Sequence, residues 1–343
     1  MTRRELDEDD VRVRPPRRGS RPRTKERPSH SGAETGVVVA VDRGRYTCRL
    51  LTPDGPADLG GPQITAMRAR ELGRKSVVVG DEVGLVGDLS GAPGTLARIV
   101  RILPRRTVLR RTADDTDPYE RVIVANADQL VVVTALADPP PRVGLIDRCI
   151  VAAYVGGLDP VLCLTKADLV GDAGATDLLR LYSDLGVPAV TSRRDADPVD
   201  LRHRLAGRVS VLVGHSGVGK STLVNRLVPE AERATGAVGA TGRGRHTSSS
   251  AVALRLARGG WVIDTPGIRS FGLAHVHPAD LLAALPDLAE GAEGCPPGCD
   301  HTGDASGGAA PCALDGWVRA GHATGTRLAS YRRLLASRSA PDR

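Results

Sequence analysis

The stretch "GHSGVGKS", residues 214–221, fits the spacing G-x-x-x-x-G-K-[ST] of a phosphate-binding loop. Glycines let successive backbone N–H groups turn toward phosphate oxygens, Lys220 can reach the β- and γ-phosphates, and the Ser221 hydroxyl can ligate Mg²⁺. The apolar run "RVSVLVG" before the loop and "KSTLVNRLV" after it predict the required strand and helix. This motif predicts a site for a nucleoside triphosphate with Mg²⁺. Its predicted contacts are Gly214, His215, Ser216, Gly217, Val218, Gly219, Lys220, Ser221 and Thr222.

A second stretch, "CLTKADL", indicates which base is bound. The Asp168 carboxylate can accept hydrogen bonds from both N1–H and the exocyclic amine of guanine, a pair that adenine does not offer. Lys166 can lie across the ring, and Thr165 stands where the usual motif Asn-Lys-x-Asp has Asn. The stretch ends an apolar strand, where ligands bind in parallel sheets. The predicted guanine contacts are Thr165, Lys166, Asp168, Leu169, and the pair Thr191 and Ser192 that ends the next strand.

Two further segments suit the γ-phosphate and its Mg²⁺. "WVIDTPG" presents Asp264 at a strand end, where the carboxylate can hold Mg²⁺ through water, and the N–H of Gly267 can meet the γ-phosphate. Upstream of it, "TGRGRHTSSS" is rich in Gly and Ser. Within it we expect Thr247 to contact Mg²⁺, with Ser248 as the alternative hydroxyl. These segments correspond to switch II and switch I of a GTPase.

The order of these segments along the chain is unusual, because the guanine loop precedes the phosphate loop. In an ordinary small GTPase it follows. The order guanine loop, second base loop, phosphate loop, switch I, switch II is the ordinary order rotated. A rotated chain can form the same sheet if the original termini lie close together. We therefore predict a circularly permuted GTPase domain.

The residue that orients the attacking water is not the usual one. Many GTPases have Gln directly after the Asp-x-x-Gly motif, whereas this chain has Ile268, which cannot form that hydrogen bond. His246, beside Thr247, is the predicted catalytic substitute, because imidazole can orient or polarise water. The alternative is a surface-loop histidine. We expect slow intrinsic hydrolysis that depends on a partner.

A cysteine and histidine cluster near the C-terminus predicts a metal site. Three thiolates and one imidazole, at spacings that a flexible "TGDASGGAAP" loop can close, suit one structural, tetrahedral Zn²⁺. The alternative is a cluster of free thiols. The predicted ligands are Cys295, Cys299, His301 and Cys312. The other cysteines, Cys48, Cys149 and Cys163, lie in apolar stretches and are expected to fill the core.

Charge and composition indicate where a nucleic acid could bind. The net charge is +7, and residues 36–112 contain 13 Lys and Arg against 7 Asp and Glu. Tyr46 is the only aromatic residue in that range, which argues against a base-stacking platform and favours phosphates of folded RNA. A solvated basic surface is the alternative. No run is long and apolar enough to span a membrane, and no secretory signal is evident, so we expect a cytoplasmic protein without membrane contact.

The elements that must position these residues fall into four predicted segments. Residues 1–35 are predicted to form a disordered basic tail, which could contact RNA or only solubilise the chain. Residues 36–112 contain about five short strands, typical of an oligonucleotide-binding (OB) barrel, with an SH3-like barrel as the alternative. "LPRRTVLRR" (103–111) is interpreted as a basic link. Residues 113–275 alternate strand and helix, as in an α/β parallel sheet, and 276–343 are helical around the metal loop.

Taken together, these motifs resemble the family of small ribosomal subunit biogenesis GTPases RsgA. The resemblance covers about residues 36–335 and depends on "SVVVGDEVGLVG", "ILPRRTVLRR", "LTKADL", "GHSGVGKSTLVNRL", "GRGRHTSSS", "IDTPGIRSFG" and the Cys/His cluster. It implies an OB barrel, a permuted GTPase and a helical zinc domain. It also implies GTP hydrolysis stimulated by the small ribosomal subunit, with rRNA, GTP and GDP as partners of a monomer.

The resemblance carries His246 over as the catalytic histidine and the four Cys and His residues as zinc ligands. Two departures from the family pattern affect these assignments: the gap between His301 and Cys312 is longer than usual, and Ser248 replaces the common Thr. Two other functional classes remain open at this stage. One is a ribosome- or RNA-binding module in which GTP is a structural ligand, and the other is a P-loop ATPase or kinase, which Asp168 disfavours.

Overall fold

The computed structural model of the chain describes residues 30–51, 61–73, 76–112, 120–170, 172–229, 251–265, 271–273, 276–303 and 312–337. By its internal contacts the chain divides into two units, Met1–Ser31 and Gly32–Arg343. The predicted tail therefore lies almost wholly outside the described residues. His246, Thr247, Ser248, Gly267 and Ile268 also lie outside them.

The basic segment forms a closed five-stranded barrel. Its strands are β1 (Glu34–Asp42), β2 (Arg45–Leu50), β3 (Gln63–Arg68), β4 (Glu82–Gly87) and β5 (Ala97–Ile102). They pair in the order β1-β2-β3-β5-β4, and β4 returns to pair with β1. This strand order, with β4 paired to β1, confirms the predicted OB-type barrel over the SH3-like alternative.

Alternation of side chains accounts for the barrel. Val38, Cys48, Ile64, Val83 and Ile99 are fully buried in its interior, while their neighbours along the strands face outward. The chain turns between β1 and β2 at Arg43 and Gly44, and both residues have positive φ, as in a two-residue hairpin loop.

The second body of structure is a mostly parallel α/β sheet. Its strands are β8 (Gln129–Ala135), β9 (Asp159–Thr165), β10 (Ala189–Thr191), β11 (Val209–Val213), β12 (Val252–Arg255) and β13 (Trp261–Asp264). They lie in the order β10-β9-β8-β11-β13-β12, all parallel except β12. The strand before the phosphate loop, β11, is central in space although it comes late in the chain. The predicted strand–helix alternation is confirmed by α1 (Val143–Val155), α2 (Asp172–Ser183), α3 (Val199–Leu205) and α4 (Lys220–Leu227).

The barrel and this sheet are joined through backbone and apolar contacts. β1 pairs with β12 at Ala40 and Val252, and Trp261 is buried against Val37 and Val39 of β1. Within the predicted basic link, β6 (Val108–Arg111) pairs with β7 (Arg121–Ala125). This short ribbon is not predicted from the sequence, because β6 has two apolar residues followed by two arginines and so lacks the alternation typical of a strand.

One asparagine fixes the link against the barrel. The Asn126 side chain donates to the carbonyl of Gly80 at 2.9 Å and accepts from the N–H of Arg106 at 2.8 Å. Its backbone is left-handed, with φ of 56°, a conformation that Asn tolerates better than most residues. Arg105, the neighbouring link residue, forms a two-pronged ion pair with the fully buried Asp81.

The C-terminal segment is helical, as predicted. Its helices are α5 (Pro278–Ala283), α6 (Pro286–Ala292), α7 (Ala313–Arg319) and α8 (Gly325–Ser337). Charged side chains fasten it to the sheet domain: Arg333 of α8 donates to the buried Asp147 of α1 at 3.0 Å. Arg327 pairs with Asp287 at 2.8 Å and donates to the Asp184 carbonyl. In the described part of the chain, no helix is long and apolar enough to cross a membrane.

Candidate guanine-nucleotide site and metal cluster

The phosphate loop lies between β11 and α4, as its motif requires. Gly217 and Gly219 adopt φ values of 85° and 89°, which side chains with a Cβ rarely adopt. Gly214 lies so close to Val133 that an added Cβ would stand 2.5 Å from that residue's carbonyl oxygen. These glycines allow the loop to fold tightly above the strand ends and to present its backbone to a ligand.

Lys220 begins α4 and joins the phosphate loop to the switch II strand. The residue is only 8% exposed, and its ammonium group donates to the Asp264 carboxylate and to the carbonyl of Thr265. The position of Asp264 follows from sheet register, since β11 and β13 are parallel and pair Leu212 with Asp264. The Thr265 hydroxyl donates to the Leu212 carbonyl at 2.7 Å, which holds the strand end in place.

The guanine loop contacts the phosphate loop directly. Thr165, at the end of β9, is 5% exposed, and its hydroxyl lies within hydrogen-bonding distance of the Val218 carbonyl in the phosphate loop. The same hydroxyl lies 3.2 Å from the Thr134 carbonyl at the end of β8. Thr165 thus bridges two segments about fifty residues apart in sequence, which is the role we would assign to the Asn of the usual motif.

The two charged residues of the guanine loop are differently held. Lys166 is left-handed, with φ of 56°, and its ammonium donates to the Asp138 carbonyl in the loop after β8. Asp168 is exposed, and its Oδ1 accepts from the backbone N–H of Arg194 at 2.9 Å. The next side chain, Leu169, is 57% exposed. Asp168 therefore presents an accessible carboxylate whose second oxygen has no hydrogen bond among those found for the described residues.

The second base loop lies beside the guanine loop. The Ser192 N–H donates to the Leu164 carbonyl at 2.7 Å, and the Ser192 carbonyl accepts from Ala167 at 3.3 Å. Thr191 ends β10 and is exposed, whereas Ser192 is buried. The strand ends thus bring the predicted phosphate contacts, guanine contacts and Asp264 to one edge of the sheet. The predicted residues His246, Thr247 and Gly267 lie outside the described residues.

The four predicted metal ligands converge. One ligand atom from each of Cys295, Cys299, His301 and Cys312 lies within 4.8 Å of all the others. Cys295 Sγ lies 3.5 Å from His301 Nδ1 and 3.9 Å from Cys312 Sγ. A tetrahedral Zn²⁺ with Zn–S of about 2.3 Å and Zn–N of about 2.0 Å needs ligand separations of about 3.5–3.8 Å. The cluster can bind one metal ion, and Cys312 belongs to it despite the long gap before it.

The environment of the cluster suits metal binding. Burial is the main cause that lowers the pKa of His301, which favours the neutral imidazole, the form that can bind a metal. Burial also raises the pKa of Cys312 to about 11, so metal binding must displace a proton there. Arg332 of α8 donates to the His301 carbonyl at 3.0 Å and pairs with Asp315 of α7. Two helices therefore hold the ligand loop from outside.

The remaining cysteines are core residues, as predicted. Cys48, Cys149 and Cys163 are each at most 2% exposed, and burial raises the pKa of Cys48 and Cys163 to about 12.

Three arginines that support the sites are not predicted from the sequence: Arg194, Arg226 and Arg332. They act through backbone contacts or through long-range pairs, and arginines are so frequent in this chain that no local pattern distinguishes them.

The sequence is similar to proteins whose names describe a ribosome-related GTPase. The family model described as RsgA GTPase matches residues 102–274. A protein of Azotobacter vinelandii named small ribosomal subunit biogenesis GTPase RsgA is 41% identical over 251 residues, 71% of each chain. The protein of that name from Pseudomonas aeruginosa PAO1 is 38% identical over 274 residues, 78% of this chain and 77% of its own.

Two solved structures share the fold. YjeQ from Thermotoga maritima has a TM-score of 0.64 at 24% identity and covers 90% of this chain and 99% of its own. YloQ, described as a circularly permuted GTPase, has a TM-score of 0.61 at 20% identity, with coverage of 91% and 97%. The fold of this chain is therefore that of the circularly permuted GTPases, which confirms the permutation predicted from the order of the motifs.

Proposed function

This chain belongs to the RsgA GTPase family, and from that premise we propose that it hydrolyses GTP during late maturation of the small ribosomal subunit. In this proposal the subunit stimulates hydrolysis, and the barrel binds its rRNA. Relatives at 38–41% identity carry the name small ribosomal subunit biogenesis GTPase. The partners would be the small subunit with its rRNA, and GTP or GDP, for a protein that acts as a monomer in the cytoplasm.

The observation that carries the proposal is the contact between the two rotated loops. Thr165 of the guanine loop reaches the Val218 carbonyl of the phosphate loop, and Lys220 reaches Asp264. If either motif were a chance match, its loop would not be expected to lie at the same edge of the sheet as the other loop. Asp168 near one end and Lys220 near the other give complementary charges for a guanine and for phosphates.

The geometry suggests how GTP would bind. In the proposal, Lys220 transfers its hydrogen bonds from Asp264 and the Thr265 carbonyl to the β- and γ-phosphates. Asp264 would then be free to hold a Mg²⁺-bound water, and the exposed Ser221 hydroxyl would supply a direct ligand. Thr247, or Ser248 in its place, would complete the set. The N–H of Gly267 would meet the γ-phosphate, and Mg²⁺ would neutralise charge that develops on the transferred phosphoryl group.

The proposed catalytic group is His246, which would orient the attacking water. This assignment depends on the sequence, because Ile268 follows the switch II glycine where a water-orienting Gln is common. Polarisation by one positioned histidine contributes typically about 10²–10⁴-fold. If contact with the ribosomal subunit brought His246 to the attacking water, hydrolysis would depend on the subunit.

For rRNA, the proposal relies on the outer face of the barrel. Arg45, Met67 and Arg98 are exposed and lie side by side on β2, β3 and β5. This row offers cations without an aromatic ring, which suits phosphates better than stacked bases.

We also propose that the chain is organised in four segments, residues 1–35, 36–112, 113–275 and 276–343. In this proposal the first segment is an accessory tail.

For the metal cluster we propose one structural Zn²⁺. Three thiolates and one imidazole leave no open position for a reacting water, and thiolate-rich tetrahedral sites favour zinc. In this role the ion would join Cys295, Cys299 and His301, which follow α6, to Cys312 at the start of α7.

We also propose that the nucleotide state reaches the C-terminal helices through switch II. Directly after that segment, the Phe271 carbonyl accepts from the buried Arg148 at 2.8 Å, and the Gly272 carbonyl accepts from Thr112 at 3.0 Å. Asp147, next to Arg148 on α1, holds Arg333 of α8. Loss of the γ-phosphate would then move the C-terminal helices relative to the sheet. Identical positions of these helices in GTP-bound and GDP-bound structures would contradict this part.

The test of the main proposal is GTP turnover with and without purified small subunits. We expect slow turnover alone and a large increase with subunits. Unchanged turnover would favour the alternative, in which the chain is a ribosome- or RNA-binding module and GTP is mainly a structural ligand. ATP that competed as well as GTP would instead indicate a P-loop ATPase or kinase.

A further inference from the structure

The loop that follows β10 borders the guanine-reading carboxylate and has little support of its own. Residues 193–197 are all exposed and lie outside any helix or strand. The N–H of Arg194 nevertheless donates to Asp168 Oδ1 at 2.9 Å. The position of this exposed loop therefore sets which way the Asp168 carboxylate points. A loop free to move would let the carboxylate rotate away from the base.

Arg226 holds this loop on both sides of Arg194. Its guanidinium donates to the Arg193 carbonyl at 2.7 Å and also to the Ala196 carbonyl. Arg226 lies on α4, the helix that Lys220 begins, six residues further along. One planar group with several fixed donors is suited to fasten two carbonyls at once. The phosphate-binding helix thus fixes the loop that orients the base-reading residue.

Arg202 of α3 closes the arrangement from the other side. It donates to the Arg226 and Leu227 carbonyls, which end α4 and have no partner within the helix. Its Nε also pairs with Asp197, the last residue of the loop, at 3.1 Å. α4, the loop and α3 are therefore linked in a ring by side-chain contacts. Of these contacts, those made by Arg226 touch the part of the loop next to Asp168, on either side of Arg194.

We propose that Arg226 is a positioning residue for guanine recognition. It acts through the loop after β10 and Arg194 to orient Asp168, and it touches neither the base nor the phosphates. The inference rests on the proposed function, because it requires that Asp168 read guanine. In this proposal one side chain, Arg226, connects the helix that binds phosphate to the loop that orients the base-reading carboxylate.

The experiment compares the affinities of GDP and inosine diphosphate, which lacks the exocyclic amine that Asp168 would bind. Measurements by titration calorimetry cover wild type, Arg226→Met and Arg226→Lys, with Arg208→Met as a control. Arg208 pairs with Asp159 at the opposite end of the sheet. We expect Arg226→Met to lower the ratio of GDP to inosine diphosphate affinity about tenfold, the effect of one misplaced charge-assisted hydrogen bond. Arg226→Lys should restore part of the ratio, and Arg208→Met should leave it unchanged.

A cycle with Asp168→Asn shows whether Arg226 works through Asp168. In the Asp168→Asn background, adding Arg226→Met should not lower the ratio of GDP to inosine diphosphate affinity further, because the carboxylate that Arg226 positions is already altered. An equal loss of affinity for both nucleotides, with the ratio unchanged, would overturn the proposal and leave Arg226 a structural residue. A further tenfold fall of the ratio when Arg226→Met is added to Asp168→Asn would also overturn the proposal. If Arg226→Met fails to fold, Arg226→Lys takes its place in the cycle.

Failure of the proposed function gives a different result. Wild-type protein that bound ADP as tightly as GDP would show that Asp168 does not read guanine. A wild-type preference for GDP that Arg226→Met leaves intact would reject only the positioning role.

Discussion

The nucleotide site and the metal cluster are built in opposite ways. The nucleotide site is assembled from strand ends between Thr134 and Asp264, and its loops occur in rotated order along the chain. The metal cluster gathers four ligands between Cys295 and Cys312 into a space of 4.8 Å. The first depends on the whole sheet being formed, whereas the second depends on one loop and the helices beside it.

The two sites should therefore differ in how well they tolerate the loss of a single contact. A distributed site keeps its shape when one contact is lost, because the sheet register still fixes the strand ends. A local cluster within one helical segment would depend instead on the metal ion that the proposal places there. The two regions meet at α1, where Asp147 holds α8 and Arg148 holds the chain after switch II.

The largest effect should follow from breaking the metal cluster. Cys295→Ser should remove the metal ion and unfold the segment after α5, because structural zinc contributes on the order of 10 kcal/mol of apparent binding free energy. GDP affinity should fall far less than the metal content, because in the described part of the chain the two sites share no direct contact and are linked through α1. Metal analysis and proteolysis of the C-terminal segment measure the loss. Cys48→Ala, which alters a barrel cysteine outside the cluster, is the control that should retain the metal.

A full complement of metal in Cys295→Ser would contradict the ligand assignment. A loss of GDP binding as complete as the loss of metal would show that the nucleotide site cannot form without the C-terminal segment.

The next effect concerns hydrolysis alone. His246→Ala should retain GTP binding but lower subunit-stimulated turnover about 100-fold or more, because it removes the group that would orient water. His203→Ala, an exposed histidine on α3, is the matched control and should turn over normally. Normal stimulated turnover in His246→Ala would remove His246 from the mechanism.

Loss of the phosphate-loop lysine should affect binding. Lys220→Met should weaken GTP binding about 100-fold, the value of two charge-assisted hydrogen bonds, while the metal content stays unchanged. Nucleotide titration measures the affinity, and Arg258→Met, an exposed change in the turn between β12 and β13, serves as the control. Wild-type affinity in Lys220→Met would place the triphosphate elsewhere.

The smallest predicted effect tests the contact between the two regions. Asp147→Asn should reduce the free energy of unfolding by about 1–3 kcal/mol, since it weakens the pairing of a buried carboxylate with Arg333 and Tyr182. Asp159→Asn removes an exposed partner of Arg208 and should cost under about 1 kcal/mol. Denaturant unfolding compares the two variants, and equal losses would show that the α1–α8 contact adds little.

The sequence predicts the residues of both sites but not the contacts that support them. Phosphate loop, guanine loop and metal ligands follow from residue type and spacing, and sheet alternation predicts the strand ends that carry them. The barrel closure also follows from five short strands, although periodicity alone leaves SH3-like and OB barrels open. What the sequence does not reveal are contacts that join distant segments, such as Arg226 with Arg193 or Arg332 with Asp315. Those contacts depend on tertiary packing, and nothing near either partner marks them.

The central claim is that two loops in rotated order form one guanine-nucleotide site. A crystal structure with GDP bound tests this most directly. We predict that both oxygens of Asp168 lie within hydrogen-bonding distance of guanine N1 and its exocyclic amine, while Lys220 contacts the β-phosphate. A base bound away from Asp168, with the phosphates still on Lys220, would contradict the claim.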